Sequence, residues 1–103
     1  MSQEGIYDFE WDPGKAQSNL RKHGVSFDQA ATVFLDALAL TVYDVSGSRS
    51  EEPWFTVGFG ADGRLLAIAH TYQQIDGGRA RIRIISARPA TRHERRSYEE
   101  EPR

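Results

Sequence analysis

An alternating run near the end of the chain constrains the fold more than any other feature. From Arg79 to Ile84, arginine alternates with alanine or isoleucine. Successive side chains of a strand point to opposite faces of a sheet, so this period predicts a strand, Arg79–Ala87, with one basic and one apolar face. The apolar face needs a second layer to bury it. We therefore predict that this strand lies in or next to the centre of a sheet that helices cover.

The residues after this strand predict where it stops and where a helix begins. The strand is expected to end at Arg88-Pro89, because proline has no N–H donor and restricts the residue before it. Thr91 followed by Glu94 is a capping box, which predicts a C-terminal helix. Tyr98 is almost the only large apolar residue of that helix, so we expect it to have few core contacts.

Two helices are predicted before the sheet. Asp12-Pro13 supplies an N-cap and a proline at the first helical position, and Gly24 supplies the C-terminal stop, so the first helix is Pro13–His23. Ser26 and Gln29 form a second capping pair. Apolar residues at helical spacing then predict a second helix, Phe27–Leu35.

Alternating patterns predict further strands. Their ranges are Ile6–Trp11, Leu38–Tyr43, Glu51–Phe59 and Arg64–Tyr72. Turns at Asp62-Gly63 and Asp76-Gly77-Gly78 join the last two of these and the arginine strand into an antiparallel meander. A polar loop, Asp44–Ser50, precedes the meander. We predict one α+β domain over residues 1–103, ordered from about residue 6 to about residue 100.

The net charge of −2 conceals an uneven distribution. Residues 1–63 hold four basic and ten acidic residues, whereas residues 64–96 hold eight arginines and two acidic residues. The chain has 11 arginines and 2 lysines, and arginine is the better fork for phosphate. This asymmetry predicts a positive surface for an anionic partner. The alternative is that the arginines pair with the acidic half.

Several kinds of site have no support in the sequence. The absence of cysteine excludes disulfides and thiolate metal ligands. The three histidines fall on different predicted elements and no nucleotide-binding or hydrolase motif occurs, so we predict neither a metal nor a cofactor. No apolar run reaches the length of a membrane span and no signal-peptide pattern opens the chain, which favours the cytoplasm and no membrane partner.

Cleavage of RNA by its own 2′-OH fits the remaining residues. The protein must orient the strand, stabilise charge on the phosphorane and move protons. The predicted catalytic residues are Arg64, His70, Arg83 and Arg88, and the predicted substrate-binding residues are Arg81, Tyr72, Arg92 and Lys22.

The hairpin register decides whether these candidates meet. Arg64, His70 and Tyr72 share one face of their strand, and a slip of one residue inverts which arginines they face. His70 is equally well interpreted as a hydrogen-bonded core residue. Arg83 is flanked by isoleucines, so we expect it to have a strong partner or a function.

The sequence resembles the BrnT toxin family from about Phe9 to Glu100. The matching residues are Phe9-Glu10-Trp11-Asp12, Lys15, Asn19-Leu20, Lys22-His23-Gly24-Val25-Ser26-Phe27, Ala30, Gly63-Arg64-Leu65-Leu66, His70-Thr71-Tyr72, Arg83-Ile84-Ile85-Ser86-Ala87-Arg88, Ala90-Thr91, Glu94-Arg95-Arg96 and Tyr98-Glu99. The resemblance implies a fold related to the RelE toxins and a ribonuclease toxin of a type II toxin–antitoxin system. Arg64, Arg83 and Arg88 lie in the matching blocks.

The same resemblance implies the partners. These would be RNA and a ribbon-helix-helix antitoxin, with operator DNA reached only through the antitoxin.

Two other functions stay open on the sequence alone. One is a non-catalytic, toxin-like module that regulates transcription through its partner, and the other is a general RNA- or DNA-binding domain.

Overall fold

The elements of the chain are seen in a computed structural model that describes residues 6–43 and 54–101. In order they are β1 (Tyr7–Glu10), α1 (Pro13–His23), α2 (Phe27–Thr32) with a 3₁₀ turn at Val33–Leu35, β2 (Leu40–Tyr43), β3 (Trp54–Phe59), β4 (Leu65–Asp76), β5 (Arg79–Pro89) and α3 (Arg92–Glu100). The predicted loop Asp44–Ser50 and the start of the next predicted strand, Glu51–Pro53, lie outside the described residues. Within those ranges, no helix has the length and apolar character needed to cross a membrane.

Five strands form one sheet in the order β1-β5-β4-β3-β2. The predicted antiparallel meander is confirmed for β3, β4 and β5, with β2 beside β3, and the arginine strand β5 lies next to the central strand. The first strand adds to the outer edge of β5 in parallel, with Tyr7 opposite Ala80 and Glu10 opposite Arg83. The domain is therefore α+β with a mixed sheet.

Helices α1 and α2 bury one face of this sheet, as predicted. The side chain of Asp12 accepts a hydrogen bond from the backbone of Lys15 at 2.9 Å, and Gly24 ends α1 in the left-handed conformation, φ 70°. The core between the helices and the sheet consists of Val25, Phe27, Ala30, Val33, Leu66, Ile68, Ile82, Ile84 and Ala87. This is the second layer that the isoleucines of β5 required.

A β-bulge in β5 controls which side chains share a face. His70 lies opposite Ile84, but Ala69 lies opposite Ser86, so Ile85 is an extra residue on β5. Simple alternation from Arg83 would place Arg88 among the core residues. The bulge instead turns Ala87 into the core and Arg88 to the same side as Arg83.

Strand β4 is longer than the sequence predicted. It was expected to end at Tyr72, but it continues to Asp76, because the beginning of β5 pairs with it as far as the turn. The residues from Tyr72 to Asp76 are exposed, so their polar composition concealed the strand.

The buried side chain of Asn19 ties α1 to the edge of β5 beyond the end of β1. Its amide nitrogen donates to the carbonyls of Val25, at 2.9 Å, and Ala87, at 2.8 Å. Its amide oxygen accepts the N–H of Ala87 at 3.0 Å. One amide therefore replaces a neighbouring strand at this position.

Helix α3 covers one end of the opposite sheet face. The predicted capping box is present, with Thr91 and Glu94 each bonded to the other's backbone. Tyr98 packs with Val57, Leu65 and Ala67, and its hydroxyl donates to Asp36 at 2.7 Å. The few core contacts expected of α3 are thus supplemented by polar ones.

We expect Asn19→Ala to lower the free energy of unfolding by about 2–3 kcal/mol, because it leaves the buried N–H and C=O of Ala87 without partners. Urea denaturation monitored by circular dichroism measures this change. The exposed neighbour Gln17 provides the control, and Gln17→Ala should alter stability by less than about 0.5 kcal/mol. Equal effects of the two substitutions would contradict a bridging role for Asn19.

Candidate active site on the open sheet face

Four arginines of β5 lie on the sheet face that points away from α1 and α2. Because Arg88 lies opposite Ala67, Arg83 opposite Thr71 and Arg81 opposite Gln73, their side chains share one face. We call Arg79, Arg81, Arg83 and Arg88 the arginine face. The sequence neighbours of Arg83 do not enclose it, since Ile82 and Ile84 point to the helices and the Arg83 side chain is 44% exposed. Its partner is Glu10, at 3.4 Å.

His70 and Tyr72 lie on the opposite face of the sheet. His70 pairs with Ile84 and Tyr72 with Ile82, so the register separates both from the arginine face. Tyr72 is exposed and contacts Gln74. His70 is 2% exposed and stacks edge-on against Phe34, with the ring centroids 5.0 Å apart.

Both ring nitrogens of His70 have partners. Its Nδ1 donates to the carbonyl of Thr71 at 3.0 Å, so Nε2 accepts the hydroxyl hydrogen of Thr56 at 2.8 Å. Thr56 in turn accepts from Thr41 at 2.8 Å. Burial lowers the pKa of His70, against a smaller opposing effect of the Thr71 hydrogen bond. These contacts indicate that His70 is neutral and has a structural role.

Arg64 and Lys22 also lie away from the arginine face. Arg64 precedes β4. Its Nε donates to the Asp62 carboxylate at 2.7 Å, and its Nη2 donates to the carbonyl of Gly24 at 3.1 Å. The hydrogen bond from Arg64 is the main reason that the pKa of Asp62 is lowered. Lys22 lies in the last turn of α1 and lines a cleft of about 480 Å³ between α1 and the edge of β5.

Carboxylates of β1 neutralise part of the arginine face. Asp8 accepts from Arg79 at 2.6 Å, and this hydrogen bond is the main reason that the pKa of Arg79 is raised. Glu10 lies between the next two arginines, 3.9 Å from Arg81 and 3.4 Å from Arg83. The pairing of arginines with the acidic half of the chain, considered above as an alternative, therefore occurs at this edge.

Arg88 is held in a fixed orientation with one edge open. Its Nη1 and Nη2 donate to the two carboxylate oxygens of Glu94 at 2.8 and 2.9 Å, and Nη1 also donates to the carbonyl of Pro89 at 3.3 Å. A guanidinium has five N–H donors. In the described part of the chain, the edge formed by Nε and the second Nη2 hydrogen meets no acceptor. That edge is a bidentate fork for an anion.

A cleft of about 470 Å³ lies beside Arg88, between β2, β3 and α3. Its apolar wall consists of Leu40, Val42, Tyr43, Phe55 and Val57, and its polar wall consists of Arg88, His93, Glu94 and Ser97. The small residues Ala67 and Ala69 occupy the central strand between these walls, in register with Arg88 and Ser86. The volume lies in the range of sites that bind small molecules.

The sequence did not predict the roles of two residues in this cleft. Glu94 was recognised as a helix cap, but the bulge that brings Arg88 to it has no clear sequence signal. His93 received no role, although it immediately precedes Glu94 and lines the cleft.

Arg92, predicted to bind substrate, is exposed at the start of α3. Among residues 6–43 and 54–101, no three histidine or carboxylate side chains are grouped as metal ligands.

The Arg88–Glu94 pair should make stability depend on acid pH. The Arg88 hydrogen bonds, opposed by burial, lower the pKa of Glu94 from 4.5 to about 2, and the same contact raises the pKa of Arg88. Because the folded state favours the carboxylate, the stabilisation is present above the unfolded-state pKa and is lost as the pH falls towards about 2.

We therefore expect Glu94→Gln to be less stable than the parent at neutral pH, and the difference to shrink between about pH 5 and about pH 2.5. Urea denaturation across this range measures it. Glu100→Gln, at an exposed position of the same helix, is the matched control and should show a much smaller difference. A Glu94→Gln deficit that stays constant down to the lowest pH would mean that helix capping, not the ion pair, supplies the stabilisation.

Comparison with known proteins shows the family of this chain. Residues 11–94 match the profile of a family described as "Ribonuclease toxin, BrnT, of type II toxin-antitoxin system". Among solved structures, the 1.1 Å crystal structure of the Brucella abortus ribonuclease toxin BrnT has the same fold, with a TM-score of 0.57 at 19% identity over 84% of this chain and 99% of that chain. No curated protein sequence matches significantly. The chain belongs to the BrnT family of ribonuclease toxins of type II toxin–antitoxin systems.

Proposed function

We propose that this protein is a metal-independent endoribonuclease that acts in the cytoplasm, cleaves RNA by attack of the 2′-OH and so inhibits translation. Membership of the family supports the ribonuclease and the toxin–antitoxin context. One observation supports placing the active site on the arginine face of the sheet. Arg88 is held rigidly by Glu94, presents a free fork, and stands between a row of arginines and a cleft large enough for a nucleotide.

The arginine face suits the backbone of a single RNA strand. Alternate residues of a strand are about 6.7 Å apart, which is comparable to the interval between successive phosphates of an extended strand. Arg81 and Arg83 contact flanking phosphates, since Glu10 holds them only at 3.9 and 3.4 Å. Arg92 extends the positive surface onto α3.

Arg88 stabilises the transition state of this reaction. As the 2′-oxygen attacks, negative charge grows on the phosphorane oxygens, and a guanidinium fork already fixed in place stabilises that charge without reorganisation. Glu94 is a positioning residue, because its two oxygens orient Arg88. His70, Tyr72, Arg64 and Lys22 are not part of this proposed site.

Arg88→Ala should lower kcat for RNA cleavage on the order of 10²-fold, because the lost charge acts mainly in the transition state. Arg88→Lys should also lose most of the activity, since an ammonium cannot replace the fork. Hydrolysis of a fluorogenic single-stranded RNA, with EDTA present throughout, measures both.

Arg21→Ala, at an exposed position of α1, is the matched control and should retain full activity. Thermal unfolding of each variant separates chemistry from stability. Loss of the melting transition in Arg88→Ala together with its activity would assign Arg88 a structural role. Abolition of the parent activity by EDTA would contradict the metal-independent mechanism.

The family implies an antitoxin, and we propose that it is a ribbon-helix-helix protein that covers the arginine face and binds operator DNA on behalf of the complex. An acidic segment of the partner would neutralise the same arginines that bind RNA, and opposite charges would speed the capture of new toxin. The antitoxin could inhibit by covering the arginine face directly, which we call direct cover, or by binding elsewhere on the toxin. These two modes of inhibition lead to different predictions.

With direct cover, complex formation should protect residues 79–99 most strongly from hydrogen exchange. Arg92→Glu should slow association with the antitoxin, whereas Arg21→Glu on α1 should leave the rate nearly unchanged. Hydrogen-exchange mass spectrometry and stopped-flow binding provide the two measurements. Protection confined to residues 13–35 would contradict direct cover.

A second candidate function is a non-catalytic module that regulates transcription through its antitoxin. The ion pairs of Asp8 and Glu10 favour it, because they neutralise part of the face that RNA would need. Growth arrest on expression that Arg88→Ala abolishes and the antitoxin relieves supports the nuclease. Operator regulation without growth arrest or RNA cleavage supports the module.

A further inference from the structure

We propose that His93 is the catalytic base that takes the proton from the 2′-OH of the RNA in the cleft between β2, β3 and α3. The inference rests on the proposed nuclease function and deepens it, since no proton carrier has been assigned. The substrate class is a single-stranded RNA phosphodiester with the attacking 2′-OH on its 5′ side.

The position of His93 is fixed although its imidazole is exposed. It lies in the first turn of α3, directly between Arg92 and Glu94, and both residues of the capping box that flank it are bonded to the backbone. Glu94 in addition accepts two hydrogen bonds from Arg88. Within the described ranges, no hydrogen bond or ion pair occupies the imidazole of His93, so both ring nitrogens are available.

The cleft brings this imidazole and the charge-stabilising guanidinium to one wall. His93, Arg88, Glu94 and Ser97 form that wall, and Val42 and Phe55 belong to the apolar wall opposite. Apolar and aromatic side chains suit the face of a nucleobase, and the polar wall suits its ribose and phosphate. A nucleotide with its base against Phe55 therefore places its sugar and phosphate on the side of Arg88 and His93.

Other proton carriers are unsuitable for this role. Both ring nitrogens of His70 are bonded in the core beneath the helices. The carboxylate of Glu94 accepts from Arg88 and from the Thr91 backbone, which makes it a weak base. Tyr43 lines the cleft, but a phenol is protonated at neutral pH. Imidazole is the side chain that ordinarily exchanges a proton near neutral pH.

The reaction balances without any further reactant. Neutral His93 accepts the 2′-OH proton while the 2′-oxygen forms a bond to phosphorus, and Arg88 stabilises the charge on the non-bridging oxygens. The bond between phosphorus and the 5′-oxygen then breaks, and that oxygen takes a proton from water. The imidazolium returns its proton to the resulting hydroxide. The products are a 2′,3′-cyclic phosphate and a 5′-OH.

The test compares variants of the full chain on one fluorogenic single-stranded RNA oligonucleotide. His93→Ala and His93→Gln should each lower kcat about 100-fold with little change in KM, because base catalysis contributes about 10²–10⁴-fold. The parent should lose activity at acid pH, where its base is protonated, and this decline should be absent in His93→Gln. Added imidazole should restore much of the activity of His93→Ala but not of Arg88→Ala.

His23→Ala, on α1, is the matched control and should keep full activity in the same assay. A His93 variant that melts like the parent, cleaves at the parent rate and gives the parent pH profile overturns the assignment of His93 while leaving the nuclease proposal standing. Loss of activity that imidazole does not restore, with an unchanged pH profile, also overturns it. If the parent protein itself cleaves no RNA, the nuclease proposal fails, and this inference fails with it.

Discussion

The pairing of β4 with β5 is the interaction on which the rest of this structure depends. It sends Ile82 and Ile84 to the helices and Arg81 and Arg83 to the opposite face, and the bulge at Ile85 then keeps Arg88 with the other arginines. A register without that extra residue would bury a guanidinium in the core and expose Ala87. The desolvation of an unpaired guanidinium is costly, so the core itself selects the register that assembles the arginine face.

The two faces of the sheet consequently differ in what they contain. The face toward α1 and α2 is closed by apolar packing and by a buried chain of hydrogen bonds through Thr41, Thr56 and His70. Among residues 6–43 and 54–101, the other face is covered at one end by α3, which Tyr98 anchors. The larger apolar core thus lies on one side of the sheet, and the arginine face and the cleft lie on the other.

Local sequence signals predicted the helices and the strand order of the meander well. Asp12-Pro13, Gly24 and the Thr91–Glu94 box act within a few residues, so each could be recognised without knowledge of the tertiary structure. The parallel addition of β1 to β5 could not, because alternation identifies a strand but neither its neighbour nor its direction.

The candidate site was predicted less well, for a related reason. The choice of Arg88 and Arg83 agrees with a shared face, whereas His70 and Arg64 depended on a hairpin register that the sequence leaves undetermined. His93 received no role because helical periodicity gives no indication of the cleft that it lines. A bulge is one inserted residue with no characteristic side chain here, yet it determines the side to which every later residue of β5 points.

The connections between the two ends of the chain also determine when the arginine face can form. Asn19 bonds to a residue 68 positions away, and Asp8 bonds to one 71 positions away. Such distant contacts make folding slow, because a long loop must close before they form. During synthesis, the N-terminal helices cannot complete their core until β5 has left the ribosome, because Ile82, Ile84 and Ala87 belong to it. The arginine face is therefore completed only when nearly the whole chain is available.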